Sequence, residues 1–176
     1  MLIAILLALF AIPTLPDAQR QLTFDIYKQL IETNTTESSG NMTTAADAMA
    51  KRLLDAGFPK EDVQVLAPEP RHGNLVARLR GSGKEKPLLL LAHLDVVEAR
   101  REDWSTDPFT LVEKDGFYYG RGTGDDKAMA AIWIATLIAS SASTSSPIAT
   151  SSWRSPRTKR PATTTASRGC CRTIAT

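Results

Sequence analysis

All 19 acidic residues of this 176-residue chain lie at or before Asp126, and no periodic apolar face follows Ile138. Apolar periodicity is what allows a segment to bury one side, so a core has to be assembled from the residues up to about Ile138. That stretch carries 15 basic and 19 acidic residues, a net of −4, whereas residues 139–176 carry six basic residues and no acid. The overall charge of +2 therefore joins two unlike sequences. One domain fits in this length and a second does not.

The nine Ser, eight Thr, six Ala and five Arg of residues 139–176 offer nothing to pack, so this segment is expected to be a disordered basic tail. The change falls inside a helix whose apolar pattern is still running at Leu137 and Ile138, which favours out-of-frame translation. The alternative is a genuine tail on a noncatalytic protein, binding acidic partners such as nucleic acid or anionic lipid. Cys170 and Cys171 sit side by side in this tail and imply neither a disulfide framework nor a metal site in the rest.

At the other end the chain runs apolar from Leu2 to Ile12 and then meets Pro13 and Pro16. This is the length of a signal-peptide core and too short for a stable membrane span. Residues 1–18 are therefore expected to be a signal peptide of a secreted or periplasmic protein, with an N-terminal apolar anchor or a buried core helix as alternatives.

Between these ends the pattern is that of an α/β domain over residues 19–138. Leu22, Ile26, Leu30 and Ile31 recur at helical spacing, as do Ala46, Met49, Ala50, Leu53 and Leu54 before the helix-ending Gly57. Short β-type runs follow at 63–66, 75–79 and 88–91. The last, four leucines without alternation, predicts a central strand buried on both faces of a helix-flanked sheet. Asp115-Gly116 predicts a tight hairpin pairing residues 109–113 with 117–119, and 128–138 reads as a buried helix. Trp133 is expected to pack on that helix, Trp104 to anchor the preceding loop, and His72 to be a solvated loop residue.

Chemistry concentrates in two places. His93 and Asp95 directly follow the leucine strand, at the carboxyl end where α/β sheets place ligand sites. Imidazole is a good metal ligand, and a carboxylate two residues on can bind its other nitrogen and fix the tautomer. The ordinary alternative is a histidine that caps the strand. The second place is Gly120-Arg121-Gly122-Thr123-Gly124-Asp125-Asp126-Lys127, with two carboxylates at a helix start in a glycine-rich backbone that allows close approach. Alone, it could equally be a helix N-terminus whose acids complement the dipole. A phosphate loop is excluded, because its glycine-lysine dipeptide is missing.

Together the two segments resemble the dinuclear zinc metallopeptidases that include carboxypeptidase G, acetylornithine deacetylase, succinyl-diaminopimelate desuccinylase and aminoacylase. In that family a strand ends in His-x-Asp and a Gly-Arg-Gly-x-x-Asp-x-Lys segment follows some thirty residues later; here His93 and Asp125 are 32 apart. The loop Trp104-Ser105-Thr106-Asp107-Pro108-Phe109 is also similar. The resemblance covers residues 22–138 and implies the N-terminal part of a three-layer catalytic domain, a central mixed sheet flanked by helices.

It further implies that His93 binds one zinc ion, that Asp125 bridges two, and that Asp95 orients His93. Gly122 and Asp126 would be structural neighbours of the site, Asp126 joined to Asp125 through a cis-type peptide. A bridging carboxylate suits two cations that share and acidify a water, for cleavage of an amide in a peptide or an N-acyl amino acid. No nucleic acid is expected as a partner. The family's dimerising domain and substrate contacts come from later sequence absent from this chain. So do its glutamate general base, two further acidic ligands and a late histidine, since no Asp, Glu or His follows Asp126. The expectation is a truncated and inactive half-site.

Overall fold

The computed structural model describes residues 15–142 and the backbone of 151–154. The apolar N-terminal run with its signal-peptide reading, and residues 143–150 and 155–176 with Cys170 and Cys171, lie outside the described residues. Helix α1 (Asp17–Glu32) and helix α2 (Met42–Asp55) come first, then strands β1 (Val63–Leu66), β2 (Asn74–Leu79) and β3 (Leu88–Leu91). A hairpin of β4 (Val112–Lys114) and β5 (Phe117–Tyr119), helix α3 (Lys127–Ala142) and strand β6 (Ser151–Arg154) complete the order.

Local chemistry sets these boundaries. The Asn41 side chain accepts from the Thr44 N–H at 3.1 Å and caps α2, satisfying one of the donors a helix start leaves open. At the other end Gly57 adopts φ +90°, the left-handed geometry that stops a helix. Asp115 and Gly116 take φ 54° and 78°, the primed-turn geometry that matches strand twist. The pairing is Val112 with Tyr119 through Lys114 with Phe117, shorter than the sequence suggested because the two-residue turn fixes the register.

The sheet runs β1-β2-β6-β3. β1 pairs antiparallel with β2, β6 antiparallel with β2, and β6 parallel with β3. Residues alternate along β2, where Leu75 and Ala77 are fully buried and Arg78 is exposed, so the helices cover one face. Ile26 and Leu30 of α1, Met49 and Leu53 of α2, and Ile134 and Leu137 of α3 join Leu75 and Ala77 in one core. The hairpin lies on α1, with the Tyr118 ring 5.7 Å from both Phe24 and Tyr27.

Two features differ from the sequence reading. β3 was expected to be central and covered on both sides, yet it forms the edge of the described sheet. Leu90 packs on the core, while Leu88, Leu89 and Leu91 remain 47%, 40% and 40% exposed. A continuous apolar run announces that two covering layers are needed, and the described helices supply one. The second difference is β6, inside the segment read as a disordered tail, whose helix α3 also runs on to Ala142. Parallel pairing with β3 follows from the crossover that α3 provides, and ladder hydrogen bonds come from the backbone whatever the side chains.

Among the described residues no helix is long and apolar enough to cross a membrane. Truncating Ile26, fully buried where α1 meets the core, should lower stability by about 2–5 kcal/mol as Ile26→Ala, measured by urea unfolding.

Candidate metal centre

Residues 92–96 leave β3 with Ala92, Leu94 and Val96 buried, which turns His93 and Asp95 together toward the opposite side. The imidazole Nδ1 donates to the Asp95 backbone carbonyl at 3.0 Å, and the Asp95 carboxylate lies 3.4 Å from the same nitrogen. Nε2 is 2.7 Å from Asp125 Oδ1. Two carboxylates thus flank one ring, with Asp95 on one nitrogen and Asp125 on the other.

This environment raises the His93 pKa from 6.5 to about 9. The hydrogen bond with Asp95 contributes most, burial opposes it, and Asp125 adds a smaller part. Distance alone would rank Asp125 first. Its side chain is 69% exposed against 26% for Asp95, so water screens the closer charge more strongly. At neutral pH the metal-free imidazole is therefore protonated and both ring nitrogens donate.

Asp126 follows Asp125 through a cis peptide, in agreement with the expectation. Burial raises its carboxyl pKa, and the charge and backbone N–H of His93 partly offset this. Asp126 thereby ties the start of α3 to the strand end that carries the histidine.

The role of Lys127 was not foreseen. It is fully buried, and its ammonium donates to the carbonyls of Leu30 at 2.7 Å and Thr33 at 2.8 Å, at the carboxyl end of α1. Both carbonyls lie at the negative pole of the helix dipole, and that of Leu30 also accepts from the Thr33 N–H at 3.3 Å. Burial brings the Lys127 pKa down to about 7. Gly122 makes room for the stem: it has φ +89°, and a Cβ there would stand 2.9 Å from both Lys127 Cδ and Val96 Cγ1. Arg121 places its guanidinium 5.1 Å from the centre of the Trp104 ring, which holds the preceding loop.

His72 corrects the sequence reading. Its side chain is only 13% exposed, with Nδ1 2.7 Å from Glu69 Oε2 and Nε2 3.1 Å from Glu37 Oε2. The two carboxylates meet opposite nitrogens, so the histidine joins two loops instead of standing in solvent. Its i+3 spacing from Glu69 was the available signal.

The donor set of His93 and Asp125, imidazole and carboxylate with a second carboxylate behind the ring, fits a divalent metal such as zinc. At 2.7 Å the two are in direct contact, so an ion would displace this hydrogen bond. Among the described residues no group of three or more His, Cys, Asp or Glu side chains could hold a metal ion.

Asp95→Asn should return the His93 titration from about 9 toward 6.5, followed by imidazole 15N shifts in the metal-free chain. Gly122→Ala should cost roughly 1–3 kcal/mol for the left-handed backbone alone, read from urea unfolding, with the steric conflict at Lys127 adding to it.

Residues 89–150 match Peptidase family M20/M25/M40. The chain is 38% identical over 109 residues to acetylornithine deacetylase of Vibrio campbellii, covering 58% of this chain and 27% of that protein. It is 36% identical over 119 residues to succinyl-diaminopimelate desuccinylase of Delftia acidovorans, covering 65% and 30%. The fold is similar to that of the dipeptidase Dug1p from Saccharomyces cerevisiae, with a TM-score of 0.62, 23% identity, and coverage of 78% of this chain and 32% of that one. The chain thus spans less than a third of the length of these curated relatives. Residues 89–150, which include His93, Asp95 and Asp125, are thus similar to Peptidase family M20/M25/M40, and the described fold is similar to that of a dipeptidase of solved structure.

Proposed function

We propose that the chain contributes the His93–Asp125 half of a zinc site in a hydrolase that cleaves amide bonds of peptides or N-acyl amino acids. The observation that carries this reading is the 2.7 Å contact between two potential ligands 32 residues apart, with Asp95 on the other ring nitrogen. His93 would bind one metal, Asp125 would reach both metals of the family's pair, and Asp95 would hold the ring in register. When bound, zinc supplies Lewis acidity that polarises the amide carbonyl and acidifies water.

The chain's own residues perform the preparatory work. Asp95 orients the imidazole, Asp125 neutralises its charge while the metal is absent, and Asp126 joins the two ligand segments. The family resemblance places a glutamate base and the remaining ligands downstream of Asp126, where these 176 residues contain no Asp, Glu or His. Loss of a general base costs about 10²–10⁴ in rate. Export of the protein, suggested by the apolar run Leu2 to Ile12, belongs to the same proposal.

Zinc binding by the metal-free chain tests the reading, measured by competition with a chromophoric chelator. Zinc must displace the proton on His93, whose pKa is raised to about 9, so affinity should climb about tenfold per pH unit from pH 6 and level off near the His93 pKa. His93→Ala should abolish binding and Asp95→Asn should weaken it by roughly 10–100-fold. Binding that is absent in the parent chain, or untouched by His93→Ala, overturns the proposal.

A further inference from the structure

Four polar or charged side chains are buried among the described residues: Thr35, Thr36, Asp62 and Lys127. Asp62 is accounted for by Arg80, whose guanidinium donates to both carboxylate oxygens at 2.7 and 2.9 Å. The other three meet at the carboxyl end of α1, beneath the half-site. Burial of polar groups is costly unless each is satisfied, so their partners define what this junction does.

From one side, Lys127 donates to the carbonyls of Leu30 and Thr33. Lys127 is two residues beyond Asp125. From the other side, the Thr35 hydroxyl donates to the carbonyl of Leu94 at 2.6 Å, and the Val96 N–H donates to the carbonyl of Thr35 at 3.2 Å. Leu94 lies between His93 and Asp95, and Thr36 bridges to Val96 in parallel. Both ligand-bearing segments therefore hang on the same seven residues, 30–36. Thr35 and Lys127 each fasten the backbone that presents one of the two side chains.

We infer that Thr35 and Lys127 are positioning residues that set the separation of His93 and Asp125 by fastening both segments to the end of α1. The inference deepens the zinc reading above and rests on it for the metal-binding consequence. The geometric part concerns the metal-free chain and stands by itself. Thr35 is the more informative of the pair, because valine keeps its shape while removing the hydroxyl that donates to Leu94.

The experiment uses the full 176-residue chain and four variants: Thr35→Val, Thr35→Ser, Lys127→Met and the core control Leu53→Ala. Two quantities are read, the imidazole 15N shifts of His93 without metal and the zinc dissociation constant by chelator competition. Thr35→Val and Lys127→Met should move the His93 shifts and weaken zinc at least roughly tenfold, within the range of outer-shell effects. Thr35→Ser should match the parent in both. Leu53→Ala, at a fully buried position of α2, should lower the unfolding midpoint and leave both readouts at parent values.

Parent-like shifts and affinity in Thr35→Val and Lys127→Met overturn the inference, as does an equal loss in Leu53→Ala, which would mark a general effect of stability. If Lys127→Met does not fold, the Thr35→Val and Thr35→Ser pair decides. A parent chain that takes up no zinc sinks the functional proposal, and the His93 shifts alone then decide the positioning role.

Discussion

The buried amino group of Lys127 donates to the Leu30 and Thr33 carbonyls at the end of α1, and the arrangement around the site depends on that exchange. A charge removed from water is expensive unless fully hydrogen-bonded, and a helix end is equally in need of donors for its last carbonyls. Leu30 and Thr33 supply the acceptors. Their location at the negative end of the helix dipole favours a cation. Because Lys127 opens α3, this contact also decides where α3 begins against α1, and so where Asp125 and Asp126 stand. The absence of a side chain at Gly122 is part of the same solution, since the lysine stem occupies the space a Cβ would take.

Around that junction the electrostatics are arranged for a positive charge. His93 touches Asp95 and Asp125, and Asp126 receives its backbone N–H. Without metal the charge is a proton, held up to a pKa of about 9. The exposed Asp125 can give up its hydrogen bond more readily than the less exposed Asp95, which stays behind the ring. The described residues hold the means to present one histidine and one carboxylate, and a catalytic zinc centre takes three or more protein ligands.

Much of the local structure was legible in the sequence because its causes are local. Leu22, Ile26 and Leu30 mark the buried side of α1, Gly57 ends α2, and Asp115-Gly116 closes the hairpin. His93 and Asp125 were paired by their resemblance to a known constellation, and the structure brings them into contact. What escaped was set by partners distant along the chain. The edge position of β3 depends on which layers surround it, and four leucines report only that they would be stable covered. β6 has no side-chain pattern because its pairing is made by backbone groups. His72 looked like a solvated residue because Glu37 is brought to it by the fold.

By itself the sequence determined the α/β class, the presence of the three helices, the hairpin turn, and the chemical identity of the candidate ligands, because periodicity, turn residues and donor atoms are written residue by residue. The tertiary structure alone decided that Thr35 and Lys127 are buried, that the end of α1 holds the segments of both candidate ligands, and that Asp95 and Asp125 meet opposite sides of one ring. Those outcomes follow from hydrogen bonds between residues separated by 59 and 97 positions, and no local pattern encodes a contact of that span.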